Sequence, residues 1–222
     1  MKKIFLLLSI GLLLFSCGPQ ENPDLGIVFG SFTDSRDGKV YKTVTIGEQV
    51  WMAENLAYLP SVVGPATESY TDPYYYVYGY EGTSVATAKA TTNYQTYGVL
   101  YNWPAALTAC PSGWHLPSDA EWTTLTTYLG EDAVGKMKEA GTSHWTTPNT
   151  GATNSSGFTA LPGGYRIYYG TIDYIGYDGY WWCSTQLNTF YAWGRHLYYS
   201  SSIVCRDFYQ KENGFSVRCV RD

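Results

Sequence analysis

The hydrophobic pattern changes character several times along the chain, and each change predicts an element. Lys2 and Lys3 precede an apolar run from Ile4 to Phe15. That run is too short to span a bilayer and fits the core of a secretory signal peptide. From Asp34 to Met52, β-branched residues alternate with polar ones between Asp37-Gly38 and Gly47, which predicts two antiparallel strands joined by tight turns. Gly98 to Leu107 predicts a helix with Pro104 in its first turn. Trp122, Leu125 and Leu129 then recur at spacings of three and four and stop at Gly130, an amphipathic helix with a glycine stop. Ser118 and Glu121 before it have the spacing of a capping box. Glu131 to Ala140 predicts a shorter helix. At the C-terminus Phe215, Val217 and Cys219 alternate to one face of a strand, with Ser216 and Arg218 on the other.

Two stretches carry little pattern. Residues 17–32 hold Gly18, Pro19 and Pro23 and predict a tether. Residues 57–97 hold Pro60, Pro65 and the run Tyr74-Tyr-Tyr-Val-Tyr78, and predict a long irregular surface insert. The three adjacent tyrosines cannot all point inward from one strand, so at least one should be exposed. An N-terminal hairpin, two main helices and C-terminal strands together predict an α+β domain over residues 33–222, with its ends in one sheet and long irregular loops.

The leader ends Leu14-Phe15-Ser16-Cys17. A small residue before a cysteine at that place resembles a bacterial lipobox. In that reading residues 1–16 are removed, and Cys17 becomes the first residue and carries the lipid. The alternative is an ordinary signal peptide with an incidental cysteine. Acyl chains contribute roughly 0.8 kcal/mol per buried CH₂, so the anchor would be stable. The expected partner is a membrane, reached through lipid, and the expected place is the cell envelope, as an outer-membrane lipoprotein at the cell surface. Removing Lys2 and Lys3 from 14 basic residues leaves 12 against 19 acidic ones, a net charge of −7. That argues against nucleic acid as a partner.

Tyrosine occurs 22 times and glycine 23 times, while charged residues are 15% of the chain. Such a composition excludes a largely disordered chain. It suits adaptable binding loops, or a β-rich domain that covers its own sheets with tyrosine. Beyond Cys17, four cysteines remain: Cys110, Cys183, Cys205 and Cys219. An even number in an exported domain predicts two disulfides, and three connectivities are open.

Asp34–Leu56, Tyr101–Trp122, Gly157–Arg166, Trp181–Thr185 and Gly214–Asp222 occur in the order found in the Fibrobacter succinogenes major paralogous domain, which this chain resembles. That family occurs in exported proteins and lipoproteins, many from Bacteroidota. More distantly, Leu116-Pro-Ser-Asp-Ala-Glu-Trp122 and the Gly-Phe…Arg-Cys-Val-Arg ending resemble the formylglycine-generating-enzyme group, which has the C-type-lectin-like fold. This second resemblance implies an outer bridge, Cys110–Cys219, and an inner one, Cys183–Cys205.

Chemistry for catalysis is sparse. The reactive cysteine pair of a formylglycine-generating enzyme has no counterpart, because Cys219 is assigned to the outer bridge. His115, His144 and His196 are scattered, without metal-ligand spacing. Asp34 and Asp37 lack the further oxygens of a calcium loop. No calcium-lectin sugar motif, phosphate-binding loop or serine-nucleophile elbow is present. Asp119 and Glu121 fit helix-start charges better than a catalytic pair. No cofactor, no metal and no enzymatic activity are therefore expected.

A binding surface is left. Tyr191, Trp193, Arg195, His196, Tyr198, Tyr199, Arg206, Asp207 and Tyr209 concentrate the aromatic and arginine side chains that anchor interfaces, in the region that supplies ligand-facing loops in the resembling fold. The plain alternative is that alternate members line the core. Residues 183–209 are also rich in the types produced by adenine mutagenesis of a diversity-generating retroelement, which acts on some proteins of this fold. The expectation is a surface lipoprotein that binds an extracellular protein or glycan, with a structural component of the envelope as the alternative.

Overall fold

The computed structural model describes residues 21–22 and 26–222. The expected leader, residues 1–16, and Cys17, the expected lipid site, lie outside the described residues. β1 (Glu21–Asn22) and β2 (Ile27–Thr33) lead into β3 (Val40–Ile46) and β4 (Gln49–Met52). Ordered structure therefore starts earlier than expected, because β2 pairs with β3 along its whole length and Ile27 is buried. Gly47, at φ +61°, makes the turn between β3 and β4, as its position in the pattern predicts. Asp34 is not part of a cation loop. Its carboxylate accepts hydrogen bonds from the Arg36 side chain at 2.7–3.2 Å, and its backbone closes the turn to Gly38 and Lys39.

β5 (Tyr75–Tyr76), α1 (Val85–Lys89), α2 (Thr92–Tyr97) and β6 (Leu100–Tyr101) follow. The expected surface insert is therefore partly a correction. Leu59, Val62, Val77, Ala88 and Tyr94 are buried in the core and Tyr76 is fully buried, and Ser84 and Thr91 cap the two short helices. Tyr74 and Tyr75 are half-buried and neither is fully exposed. α3 (Trp103–Ala109) starts five residues later than the pattern predicts. Asn102 accepts from the Ala105 amide and sets that start, while Val99 to Tyr101 stay extended to pair with β5 and Phe215.

β7 (Trp114–His115) leads to α4 (Asp119–Leu129), whose capping box is formed as expected: Ser118 Oγ accepts from the Glu121 amide, and Glu121 accepts from the Ser118 amide at 2.7 Å. α5 (Ala133–Met137) is shorter than expected, because Lys138 turns extended and bridges Ala160. After a long loop come β8 (Gly163–Arg166), β9 (Ile172–Ile175), β10 (Asp178–Gln186), β11 (Tyr191–Tyr198), β12 (Cys205–Gln210) and β13 (Val220–Arg221).

These strands form two main sheets. One has the order β1-β2-β3-β4-β13-β7, and the other β12-β11-β10-β8-β9. The α+β class and the meeting of the chain's ends in one sheet are thus as expected. The C-terminal segment does more than close a sheet. Phe215 bridges Tyr101, Ser216 bridges Trp181, and Val220 lies between Trp51 and His115. Phe215, Val217 and Cys219 enter one apolar core. Ser216 and Arg218 on the opposite face are equally buried, and Arg218 lies over Phe158 in a second core that also holds Trp51, Trp122 and Trp181.

Burying Arg218 requires many acceptors. Its guanidinium donates to Asn55 Oδ1 at 3.0 Å, to the Met52 and Thr159 carbonyls at 3.2 Å, and to the Phe158 carbonyl. Trp181 donates to the same Asn55 oxygen at 2.9 Å. Burial pulls the Arg218 pKa down to about 9, and the group stays a cation at neutral pH. Arg166 is also fully buried and donates to the Pro65 and Glu212 carbonyls, each at 2.7 Å. The recognisable sequence segments thus build the scaffold between the two sheets.

One disulfide is present, Cys110–Cys219, joining the end of α3 to the approach of β13. The expected second bridge does not form, and Cys183 and Cys205 are free thiols. β11 lies between their strands, which separates β10 from β12 by about 10 Å, beyond the roughly 7 Å Cα limit for a bridge. Cys183 faces Arg195, whose Nη1 is 3.6 Å from its sulfur. Cys205 is paired across from His196 and points to the other face.

Candidate functional site

The β11–β12 hairpin carries most of the residues singled out from the sequence, and alternation divides them between two faces of the sheet. Cross-strand pairing puts Trp193 with Phe208 and Arg195 with Arg206 on one face, and Ala192 with Tyr209 and His196 with Cys205 on the other. Tyr191, Trp193 and Tyr198 therefore do not form one surface.

The face toward α4 is closed by charge pairing. Arg195 is 2% exposed. It donates to Asp119 Oδ1 at 2.6 Å, to the Asp119 carbonyl at 3.0 Å and to Thr123 Oγ1 at 3.2 Å. Arg206 grips the same carboxylate through Nε and Nη2 at 2.9 Å and lies 3.6 Å over the Trp193 ring. Burial opposes ionisation of Asp119, but Arg206 and Arg195 outweigh it and hold its pKa below the usual value. Asp119 is thus an anchor for the hairpin as well as a helix-start charge. Tyr199 packs edge-on against Tyr177. These groups are already satisfied within the domain.

The opposite face is aromatic. His196 is 7% exposed, stacks on Tyr180 at 4.9 Å and hydrogen bonds the Tyr209 hydroxyl through Nδ1. Burial drives its pKa down to about 4, so the imidazole is neutral. Asp178, beside Tyr198 across the strands, has its pKa pushed up to about 7 by burial. Asp207 is exposed on β12.

Beyond this layer an open cleft of about 430 Å³ lies between β8 and the hairpin. Tyr165, Tyr180 and Tyr209 form its deeper wall, and Tyr168 (41% exposed) and Phe208 (46% exposed) form its rims. Ile167, Tyr191, Gln210 and Asn213 complete the lining. Desolvation raises the phenol pKa of Tyr165 to about 12 and those of Tyr180 and Tyr209 further, so the wall is uncharged. The cleft has the size of a small-molecule or oligomer site. A second cavity near Lys42, Glu54 and Asn55 holds only about 150 Å³. Of the nine residues expected to bind ligand, only Tyr191 and Tyr209 line the cleft. Tyr165, Tyr168, Tyr180, Gln210 and Asn213 were missed. Nothing local marks Tyr165 and Tyr168, because β8 reaches the hairpin only through its parallel bridge to β10.

Among the described residues, no group of three or more His, Cys, Asp or Glu side chains could hold a metal ion, and no helix is long and apolar enough to cross a membrane. The family described as the Fibrobacter succinogenes major domain matches residues 44–221. The chain belongs to that family. Comparison with curated proteins finds no match, and comparison with solved structures finds none either. The matched region spans the disulfide, the Arg218 network and the cleft, while β2 lies outside it.

Proposed function

We propose that this chain is a cell-surface lipoprotein whose Fibrobacter succinogenes major domain binds an extracellular protein or glycan without turning it over. The observation that carries the proposal is the open aromatic cleft, whose rims leave Tyr168 and Phe208 available to solvent. A protein that only had to fold would gain by covering such rings. The Ser16-Cys17 boundary after the apolar leader supports lipid attachment, and an outer-membrane location follows from that reading. Kinship with C-type-lectin-like domains is part of the same proposal. It is supported by the bridge from a helix end to the last strand and by the pairing of that strand with β4.

Retroelement diversification also belongs to this reading. Asp207 and Phe208 are exposed on β12, whereas Arg195 and His196 are buried and Arg206 is held on Asp119. Sequencing the 3′ end of the gene across a cultured population should then find variation at exposed codons of residues 183–210 and constancy from Phe215 to Asp222.

The direct test displays the full chain on cells and measures adhesion to extracellular matrix proteins and glycan arrays. Alanine at Tyr168, Tyr191 and Phe208 together should abolish binding while surface display is unchanged. Full adhesion by the triple variant would leave the structural envelope component as the better account.

A further inference from the structure

The cleft has a chemistry narrower than "protein or glycan". Six aromatic rings meet there with two carboxamides, Gln210 and Asn213, and no Lys, Arg, Asp or Glu lines it. The arginines of the hairpin are spent on Asp119. Asn213 is 7% exposed, and its side-chain oxygen is buried without a hydrogen-bond partner. Leaving a buried amide oxygen unpaired is unfavourable, and such an atom is expected to have a partner at least part of the time. Asn213 sits at the wall of this open, neutral, aromatic cleft, beside Gln210.

We infer that the cleft takes a neutral saccharide, one or more uncharged pyranose units. This rests on the binding function proposed above and names its ligand class. A pyranose has an apolar face of C–H groups, slightly positive at the hydrogens, which matches the negative face of a tyrosine ring. Its equatorial hydroxyls are donors and acceptors at once, which is what a carboxamide pairs with on both sides. Tyr168 and Phe208 at the rims, with the phenols of Tyr165 and Tyr209 between them, offer stacking surfaces along an open path instead of a closed pocket. An acidic or basic ligand would find no counter-charge in the lining and would lose hydration on entry. Charge complementarity therefore selects against charged glycans and charged peptides.

The test titrates the full chain, purified in detergent, with neutral hexaoses of glucose, mannose and N-acetylglucosamine in separate experiments. A hyaluronan hexamer serves as the acidic probe and a mixed-sequence peptide library as the protein-like probe. At least one neutral hexaose should bind, with the hyaluronan hexamer at least tenfold weaker. Tyr168→Ala should weaken that binding about tenfold, the loss of one stacking contact of roughly 1.4 kcal/mol. The exposed position of Tyr168 keeps the variant folded. Asn213→Ala should weaken it as well, while Phe29→Ala, an aromatic of the other sheet, should leave it unchanged. Binding of the peptide library alone, lost in Tyr168→Ala, would overturn the saccharide inference and leave the cleft as a binding site. Saccharide binding unaffected by Tyr168→Ala and Asn213→Ala would overturn both the inference and the cleft. Binding of no probe by the folded chain would count against the saccharide inference, and the cell-adhesion assay then decides the wider reading.

Discussion

Two regions of the β11–β12 hairpin lie a few residues apart on the same pair of strands, yet they do opposite work. Toward α4, Arg195, Arg206 and Trp193 are locked on Asp119 and one another. At the end where β11 starts and β12 finishes, Tyr191, Phe208 and Tyr209 line an open cleft together with Tyr168 and Asn213. The first region resembles a finished interior, where every strong polar group has a partner. The second has apolar area and hydrogen-bonding capacity left over. Composition cannot separate them, since both are aromatic and polar. Saturation can.

The comparison can be broken most forcefully at the scaffold both regions share. Cys110→Ser with Cys219→Ser removes a bridge spanning 109 residues, worth up to roughly 4–5 kcal/mol by chain entropy. Thermal or urea unfolding of the oxidised protein and the double variant should differ by that order. A difference near zero would mean the denatured chain gains nothing from the link.

Asp119→Ala strikes the closed region alone. It leaves Arg195 buried and unpaired, a loss of about 3–5 kcal/mol for a buried charge, whereas Tyr168→Ala at the open cleft should stay within about 0.5 kcal/mol. Equal effects in parallel denaturation curves would erase the distinction between the regions. Because the Asp119 pKa is lowered in the folded state, its contribution is present above the ordinary carboxylate range. It is lost only as pH falls through that lowered value.

The buried layer behind the cleft holds two groups that titrate in opposition. Asp178 ionises near 3.8 when unfolded and about 7 when folded, so between those values the folded state holds more protons and stability falls as pH rises. His196 is protonated below 6.5 when unfolded but only below about 4 when folded, so over that range stability rises with pH. The two slopes offset in the native protein. Asp178→Asn removes one of them: melting temperature should then climb from pH 4 to 6.5, and at pH 8 the variant should exceed the native protein by about 1–3 kcal/mol, the cost of a desolvated group. A variant less stable than the native chain at pH 8 would show that the Asp178 charge has a compensating partner.

The smallest effect concerns the two thiols. Burial raises the Cys183 pKa to about 12 and shields the sulfur, while Cys205 is only half-buried. Alkylation of the native protein at neutral pH, followed by peptide mass mapping, should modify Cys205 and spare Cys183. Cys205→Ser should alter stability by less than about 0.5 kcal/mol. A Cys183–Cys205 peptide pair without any alkylation would restore the second bridge.

Local chemistry made a good part of the fold legible. The Ser118–Glu121 cap, the Gly47 turn and the Trp122–Leu129 stripe are read from neighbours three or four residues apart, and all are present. The α3 start was misplaced because Asn102 spends its side chain partly on the distant backbone of residues 69–74. The 57–97 segment looked like surface because its apolar residues follow no single period, yet Leu59, Val62 and Tyr94 are fixed in the core by contacts far along the chain. The candidate site was legible as a region and not as a set of residues. Tyr191 and Tyr209 line the cleft, while Arg195 and Arg206 hold the hairpin down on Asp119.

By itself, then, the sequence determined the class of domain, its family, the outer disulfide implied by that kinship, and the helix caps and turns, because each depends on residue types at short, fixed spacings or on motifs in order. Only the tertiary structure decided which region of the hairpin is closed, that Cys183 and Cys205 stay apart, and that Tyr165 and Tyr168 join Tyr191 in one cleft. Those outcomes depend on which strand lies next to which. Insertion of β11 between β10 and β12, and the parallel bridge of β8 to β10, are non-local pairings. A strand's own residues fix its alternation, but its neighbours fix what each face meets.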